Sequence, residues 1–186
     1  LNELVNQSIE EALLRAGPET YRARGFVHSD SDHAERFVEF ENKVAATIAT
    51  NRLTGDAIDV AVRATDFGDI RPAVTVALGR IGMTYEEFMD GITVGELMSF
   101  IDDLPTRYVT NVMRSAKHRQ TQQKWEPNDF ADVVALPVPA VYCNVIVTEK
   151  QWVHRMRQGK VDRRYNTMLL DNVADLVDVL VTASAT

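Results

Sequence analysis

Two short apolar runs, Val141–Val147 and Thr167–Leu170, flank a basic stretch that ends at Gly159, and nothing else constrains the fold of this 186-residue chain as strongly. The first run, Val-Tyr-Cys-Asn-Val-Ile-Val, is rich in β-branched and aromatic residues and stops at the polar pair Thr148-Glu149. Such residues favour extended, half-buried backbone. Pro137 and Pro139 stand before it and end any helix that arrives there. Lys150–Gln158 reads as a helix with Gly159 as its stop, and Thr167–Leu170 as a second strand. Strand, helix and strand in this order form a βαβ unit, and the crossover makes its two strands parallel. The predicted fold class is therefore α/β, helix-rich, with a small parallel sheet. Two strands alone make a poor sheet. Partner strands are expected either weakly marked in residues 1–110 or outside this chain.

The rest of the sequence reads as helix. Asn2–Ala16 carries Leu4, Val5, Ile9, Leu13 and Leu14 on one face, and Gly17-Pro18 closes it. Residues 18–29 form a link containing Arg22 and Arg24. Ser29 to Asp32 offers caps for a long helix through Asn51, with Phe37, Phe40, Val44 and Ile48 as its core stripe. Asp56–Ala64 and Ile70–Ile81 read as two helices separated by Gly68. Thr84-x-x-Glu87 and Thr93-x-x-Glu96 are capping boxes for helices over Tyr85–Met89 and Val94–Asp103. Leu104 to Thr110 reads as a bend with a short extended segment, and Asn111–Thr121 as a basic helix. Asn128–Leu136 is a helix with Asn128 as its cap, and Val173–Thr182 a last helix. These expectations divide the chain into a helical region over 1–92 and an α/β part over 93–186.

Charge is unevenly spread. Residues 1–103 hold nineteen acids against nine Lys or Arg, and residues 104–166 hold eleven Lys or Arg against five acids. A basic segment inside an acidic chain suits a polyanionic partner. Its alternative is internal pairing of basic and acidic faces. No run of eighteen apolar residues exists, so no membrane span is expected. The single cysteine, Cys143, excludes an internal disulfide and reads as a small buried hydrophobe, as expected of a reducing cytoplasm. Tyr142 reads as core. His28, His33, His118 and His154 lack zinc-ligand spacing, and no phosphate loop, GxGxxG or CxxC is present.

The candidate chemistry lies in three carboxylates. Asp129 and Asp132 sit three residues apart at the front of one helix, and Glu149 follows the end of the apolar strand. Acids gathered there are suited to a divalent cation, Mg²⁺ or Mn²⁺, which binds oxygen and needs only one or two direct carboxylates. The structural alternative is that all three favour the positive end of a helix. Asn144 would add a carbonyl oxygen to such a metal site or, alternatively, bond to backbone. Arg114, Lys117, Arg119 and Lys124 form one basic group and Arg155 and Arg157 another, the predicted contacts to RNA phosphates, unless they are simply solvated. Trp125 and Trp152 would stack on bases or cap the core.

The stretch Pro-Asn-Asp-Phe-Ala-Asp-Val through Tyr-Cys-Asn-Val-Ile-Val-Thr-Glu-Lys resembles the C-terminal half of a PIN-like domain, over about residues 93–182. Leu104-Pro105-Thr106 before a basic helix is similar to the same family. The resemblance implies an α/β/α, metal-dependent ribonuclease. Asp132 would open the metal-site helix, Glu149 would close the strand, and Asp129 would assist in catalysis. Such proteins commonly read Tyr-Cys-Asp where this chain has Asn144. The family also begins with a strand ending in Asp, which this chain does not offer, so residues 1–92 read as the middle of a longer protein. The second expectation is a catalytically inert PIN-like or helical module that binds a protein partner or a second copy.

Overall fold

The computed structural model describes residues 32–184. The chain divides after His33, and the unit Ala34–Thr186 holds nearly all of these residues. The helix expected over Asn2–Ala16 and the link with Arg22 and Arg24 lie outside the described residues.

Helix α1, His33–Thr50, buries Val44 and Ile48 as its periodicity predicts, together with a carboxylate, Glu41. Helix α2, Asp56–Arg80, is one continuous helix where the sequence predicts two. Gly55 and Gly82, at φ of 54° and 75°, take the left-handed conformation that favours a helix end, and Gly68 does not. Gly68 stays helical, and the roughly 1 kcal/mol it costs is outweighed by burial of Ile58, Val62, Phe67 and Leu78.

Helices α3, Tyr85–Gly91, and α4, Val94–Asp102, start at the two capping boxes. In each, the threonine hydroxyl accepts from the glutamate N–H, and the glutamate carboxylate accepts from the threonine N–H at 2.7 and 2.9 Å respectively. Helix α5, Pro105–His118, replaces the expected bend and extended segment. Proline at the first position is pre-set for a helix start, and Val109, fully buried, overrides its own β preference through packing.

Helix α6, Pro127–Ala135, is capped by Glu126 rather than Asn128. Pro137 does end it, and then acts as the first residue of a new short helix, α7, Pro137–Tyr142. The strand is shortened from the expected Val141–Thr148 to β1, Val145–Val147. Tyr142, 71% exposed, and Cys143, also exposed, lie at the end of α7, outside the core that their apolar neighbours suggested. Helix α8, Lys150–Gln158, and the short α9, Val161–Tyr165, form the crossover to β2, Met168–Leu170. The strands pair in parallel, Ile146 opposite Leu169, as the βαβ reading predicts. They form the whole sheet among the described residues. Helix α10, Val173–Ser184, follows.

The main core gathers Val109, Met113, Val133, Ile146, Trp152, Met156 and Leu169 around α5, and a smaller one joins α1 to α2 through Val44, Ile48, Ile58 and Val62. Helix α5 packs against α2, α7 and α8. Residue 92 lies within the unit Ala34–Thr186. Where α8 ends, a Cβ on Gly159 would lie 2.2 Å from Val112 Cγ1, so only glycine lets α8 approach α5 so closely. No helix among the described residues is long and apolar enough to cross a membrane.

Candidate functional site: an acid pair beside the parallel strands

The three predicted acids take different roles. Asp129 is the third residue of α6, and its Oδ2 accepts the Glu126 N–H at 2.6 Å, closing a capping box. The same oxygen accepts from Lys117 Nζ at 2.5 Å, with both side chains buried. Lys117 also lies 4.9 Å from the Trp125 ring centroid. Asp129 is thus neutralised by a buried cation and anchors α6 to α5.

Asp132 lies one turn later and reaches α8. Its Oδ2 accepts the indole N–H of Trp152 at 2.6 Å. Burial pushes its carboxyl above the usual aspartate range; the Trp152 hydrogen bond opposes this, and the charges of Glu149 and Asp129 add to it. Glu149 caps α8 just past the C-terminal end of β1, is exposed, and accepts from Gln151 Nε2 at 2.7 Å. The fold therefore brings Asp132 and Glu149 within electrostatic reach of each other. Trp152, itself fully buried in the main core, braces Asp132 and takes no part in base stacking; Trp125 is buried likewise.

Asn144 and Glu149 lie at opposite ends of β1, Asn144 before the strand and Glu149 after it. Among the described residues, no three His, Cys, Asp or Glu side chains converge as a metal-binding group.

The basic residues divide in the same way. Arg114, Lys117 and Arg155 are buried, at 3, 5 and 1% exposure, so they present no surface to a polyanion. Arg119, Lys124 and Arg157 are exposed. Arg119 is paired with Asp59 at 2.5 Å, and Arg157 donates to the Leu169 carbonyl at 2.6 Å.

A second polar cluster was not anticipated from the sequence. Glu41, wholly buried on α1, accepts from Arg114 Nε at 2.6 Å and hydrogen-bonds His118 Nε2 at 2.7 Å. Asp66, wholly buried on α2, accepts from Arg107 at 2.9 Å and from Asn111 at 3.0 Å. Arg107, Asn111, Arg114 and His118 recur at helical spacing along one stripe of α5, which the basic composition disguised as a solvated face. The legible signal was on the other two helices. Glu41 falls in the stripe Phe37, Val44, Ile48, and Asp66 in the stripe Ile58, Val62, so each acid occupies a core position and demands a partner. Beside this cluster opens a cavity of about 340 Å³, with Phe37, Phe40 and Val133 on its walls and Asp69 in its lining. Burial raises the Asp69 carboxyl above its ordinary range, and the Arg114 charge opposes the rise.

Comparison with protein-family models, with curated proteins and with solved structures finds no match to this chain.

Proposed function

We propose that the chain is the metal-holding half of a PIN-like, divalent-metal-dependent ribonuclease, with Asp132 and Glu149 as its acid pair. The observation that carries the reading is Asp132. It is an acid partly withdrawn from water, held by an indole N–H and facing a second, exposed carboxylate past the end of a parallel strand. Desolvated acids beside like charges mark places where a cation is wanted. The donor set fits a hard ion of the Mg²⁺ or Mn²⁺ type held by two carboxylates and water. Asp129 does not fit, since Lys117 already neutralises it. A bound ion would orient a water and shield charge on a phosphodiester.

The protein's own groups would do the rest. Trp152 fixes the orientation of Asp132 through its N–H. The Lys117–Asp129 pair holds the start of α6, and so the position of Asp132, against α5. The exposed Arg119, Lys124 and Arg157 would draw in RNA in a salt-sensitive way.

A thermal-shift titration with Mn²⁺, run beside cleavage of a fluorescent single-stranded RNA, tests the proposal. Wild type should be stabilised by Mn²⁺, with the response lost in Asp132→Ala and in Glu149→Ala but kept in Asn144→Ala. An equal response in all four proteins would remove the site. The Lys117–Asp129 pair favours a second reading, an inert interaction module, because it withdraws the third acid from any cation. That reading predicts no Mn²⁺ response in any of the proteins and no cleavage.

A further inference from the structure

The turn that ends α1 puts a charged residue where glycine is usual. Leu53 N–H donates to the Ile48 carbonyl at 3.0 Å and Arg52 N–H to the Ala49 carbonyl at 3.1 Å, the paired bonds of a Schellman motif. Leu53 packs on the cluster that contains Ile48, which is the apolar contact such a motif makes. Arg52 occupies the motif's left-handed position, with φ of 51°. Glycine adopts that conformation without penalty, whereas a Cβ crowds the following carbonyl oxygen. Arg52 therefore holds a strained backbone position. Its side chain is exposed and makes no hydrogen bond or ion pair among the described residues, so nothing in the packing requires an arginine there.

Arg52 lines a cavity of about 340 Å³ between the end of α1 and the segment that follows α5. That volume lies at the low end of the range for small-molecule pockets. No Asp or Glu lines it, in a chain that holds 27 acids against 20 Lys or Arg. Its basic lining is Arg52, Lys117, His118 and Lys124. Asp129 already holds Lys117, and Glu41 holds His118. Lys124, like Arg52, is exposed and has no side-chain partner among the described residues. Two open cations thus share one cavity with no acid to balance them. Gln120 and Gln123 line it too, and both amide oxygens accept from Arg155 Nη2, at 3.1 and 2.5 Å. A guanidinium only donates, so the oxygen of each amide is taken and its NH2 donor is the group left over. Ala45, Ile48, Ala49 and Leu53 supply an apolar wall.

We infer that this cavity binds a small organic anion, its carboxylate or phosphate taken by Arg52 and Lys124 and its apolar part set against the wall of Ala45, Ile48, Ala49 and Leu53. The arginine fork and the lysine ammonium both donate to oxygens of that kind, in charge-assisted bonds stronger than neutral ones. An inorganic ion would leave the apolar wall bare, and an uncharged ligand would leave both cations without a counter-charge. The site uses neither Asp132 nor Glu149 and stands whether or not that pair holds a cation. Of the residues proposed to draw in RNA, it shares only Lys124.

The test is a titration of the whole chain with phenyl phosphate, benzoate, inorganic phosphate and benzyl alcohol, followed through backbone amide chemical shifts. Phenyl phosphate or benzoate should shift the signals of residues 52–54 and 120–125 saturably. Inorganic phosphate and benzyl alcohol, each lacking half of the ligand, should bind more weakly. Arg52→Gly and Lys124→Gln should each weaken binding of the organic anion about fivefold, the upper end for an exposed ion pair. Arg80→Gln removes the same charge at the far end of α2 and should leave binding unchanged. Arg52→Gly should also raise the urea midpoint, because glycine relieves the turn, so its loss of binding is not a loss of fold. Tighter phenyl phosphate identifies a phosphate site, tighter benzoate a carboxylate site, and either supports the assignment. No saturable shift with either organic anion, benzyl alcohol or inorganic phosphate binding as tightly as they do, or equal affinity in wild type, Arg52→Gly and Lys124→Gln would overturn it.

Discussion

Helix α5 separates two polar regions built from the same residue types. On the side of α1 and α2, every buried charge has an opposite: Glu41 holds Arg114 and His118, and Asp66 holds Arg107 and Asn111. On the side of α6 and α8, pairing is incomplete. Lys117 and Asp129 match, but Asp132 faces Glu149, and Arg155 has no acid at all. Both regions hold buried charges, so burial alone does not mark a site. What differs is whether the charges cancel. The first region is an ionic clamp between three helices, and the second carries the proposed cation site.

The comparison can be broken most forcefully at the clamp. Glu41→Ala strands Arg114 and His118 in the core, and loss of one partner of a buried pair costs about 3–5 kcal/mol. Urea denaturation should show it, with Arg114→Ala costing a similar amount and the double variant clearly less than the sum. A loss under 1 kcal/mol would mean that the clamp is solvated. Next in size, Gly159→Ala should cost about 1–3 kcal/mol through the clash with Val112. Paired with Val112→Ala, which opens the space, most of that cost should return. Thr93→Ala removes a capping hydroxyl and should cost about 1 kcal/mol. It touches neither region and so calibrates the other two.

The smallest effect is the most diagnostic of incomplete pairing. Asp132→Asn keeps an oxygen for the Trp152 N–H and deletes a desolvated charge. A carboxyl whose folded pKa is raised gives stability that is fully present below its unfolded value and lost as pH rises through the folded one. Wild type should therefore be less stable than Asp132→Asn at pH 7, by roughly 0.5 kcal/mol after solvent screening. The gap should close as pH falls below the ordinary aspartate pKa. A gap that widens toward acid would show that Asp132 is stabilised as a carboxylate instead.

How much of this was legible in the sequence depended on whether local and tertiary signals agreed. Helix α8 and its stop at Gly159 were legible because charge pattern, preceding strand and glycine all pointed the same way, and so was the parallel pairing that follows from the crossover. Gly68 misled because a glycine lowers helix propensity by only about 1 kcal/mol, which the burial along α2 outweighs. Pro137 misled because a proline that ends one helix equally begins another, and α7 took Val141 and Tyr142 from the expected strand. That shortening also moved Asn144 ahead of the sheet, away from Glu149. The clamp and Arg155 were not legible: a run of Arg and Lys looks solvated unless the acids that bury it, Glu41 and Asp66, are recognised at core positions on distant helices.

The central claim is that Asp132 and Glu149 share one divalent cation while Lys117 withholds Asp129 from it. Paramagnetic broadening of backbone amide signals by substoichiometric Mn²⁺ tests it most directly. The account predicts broadening that starts around residues 132 and 149, spares Asn144 and the Glu41 clamp, and disappears in Asp132→Ala. Broadening centred elsewhere, or unchanged by that substitution, would contradict it.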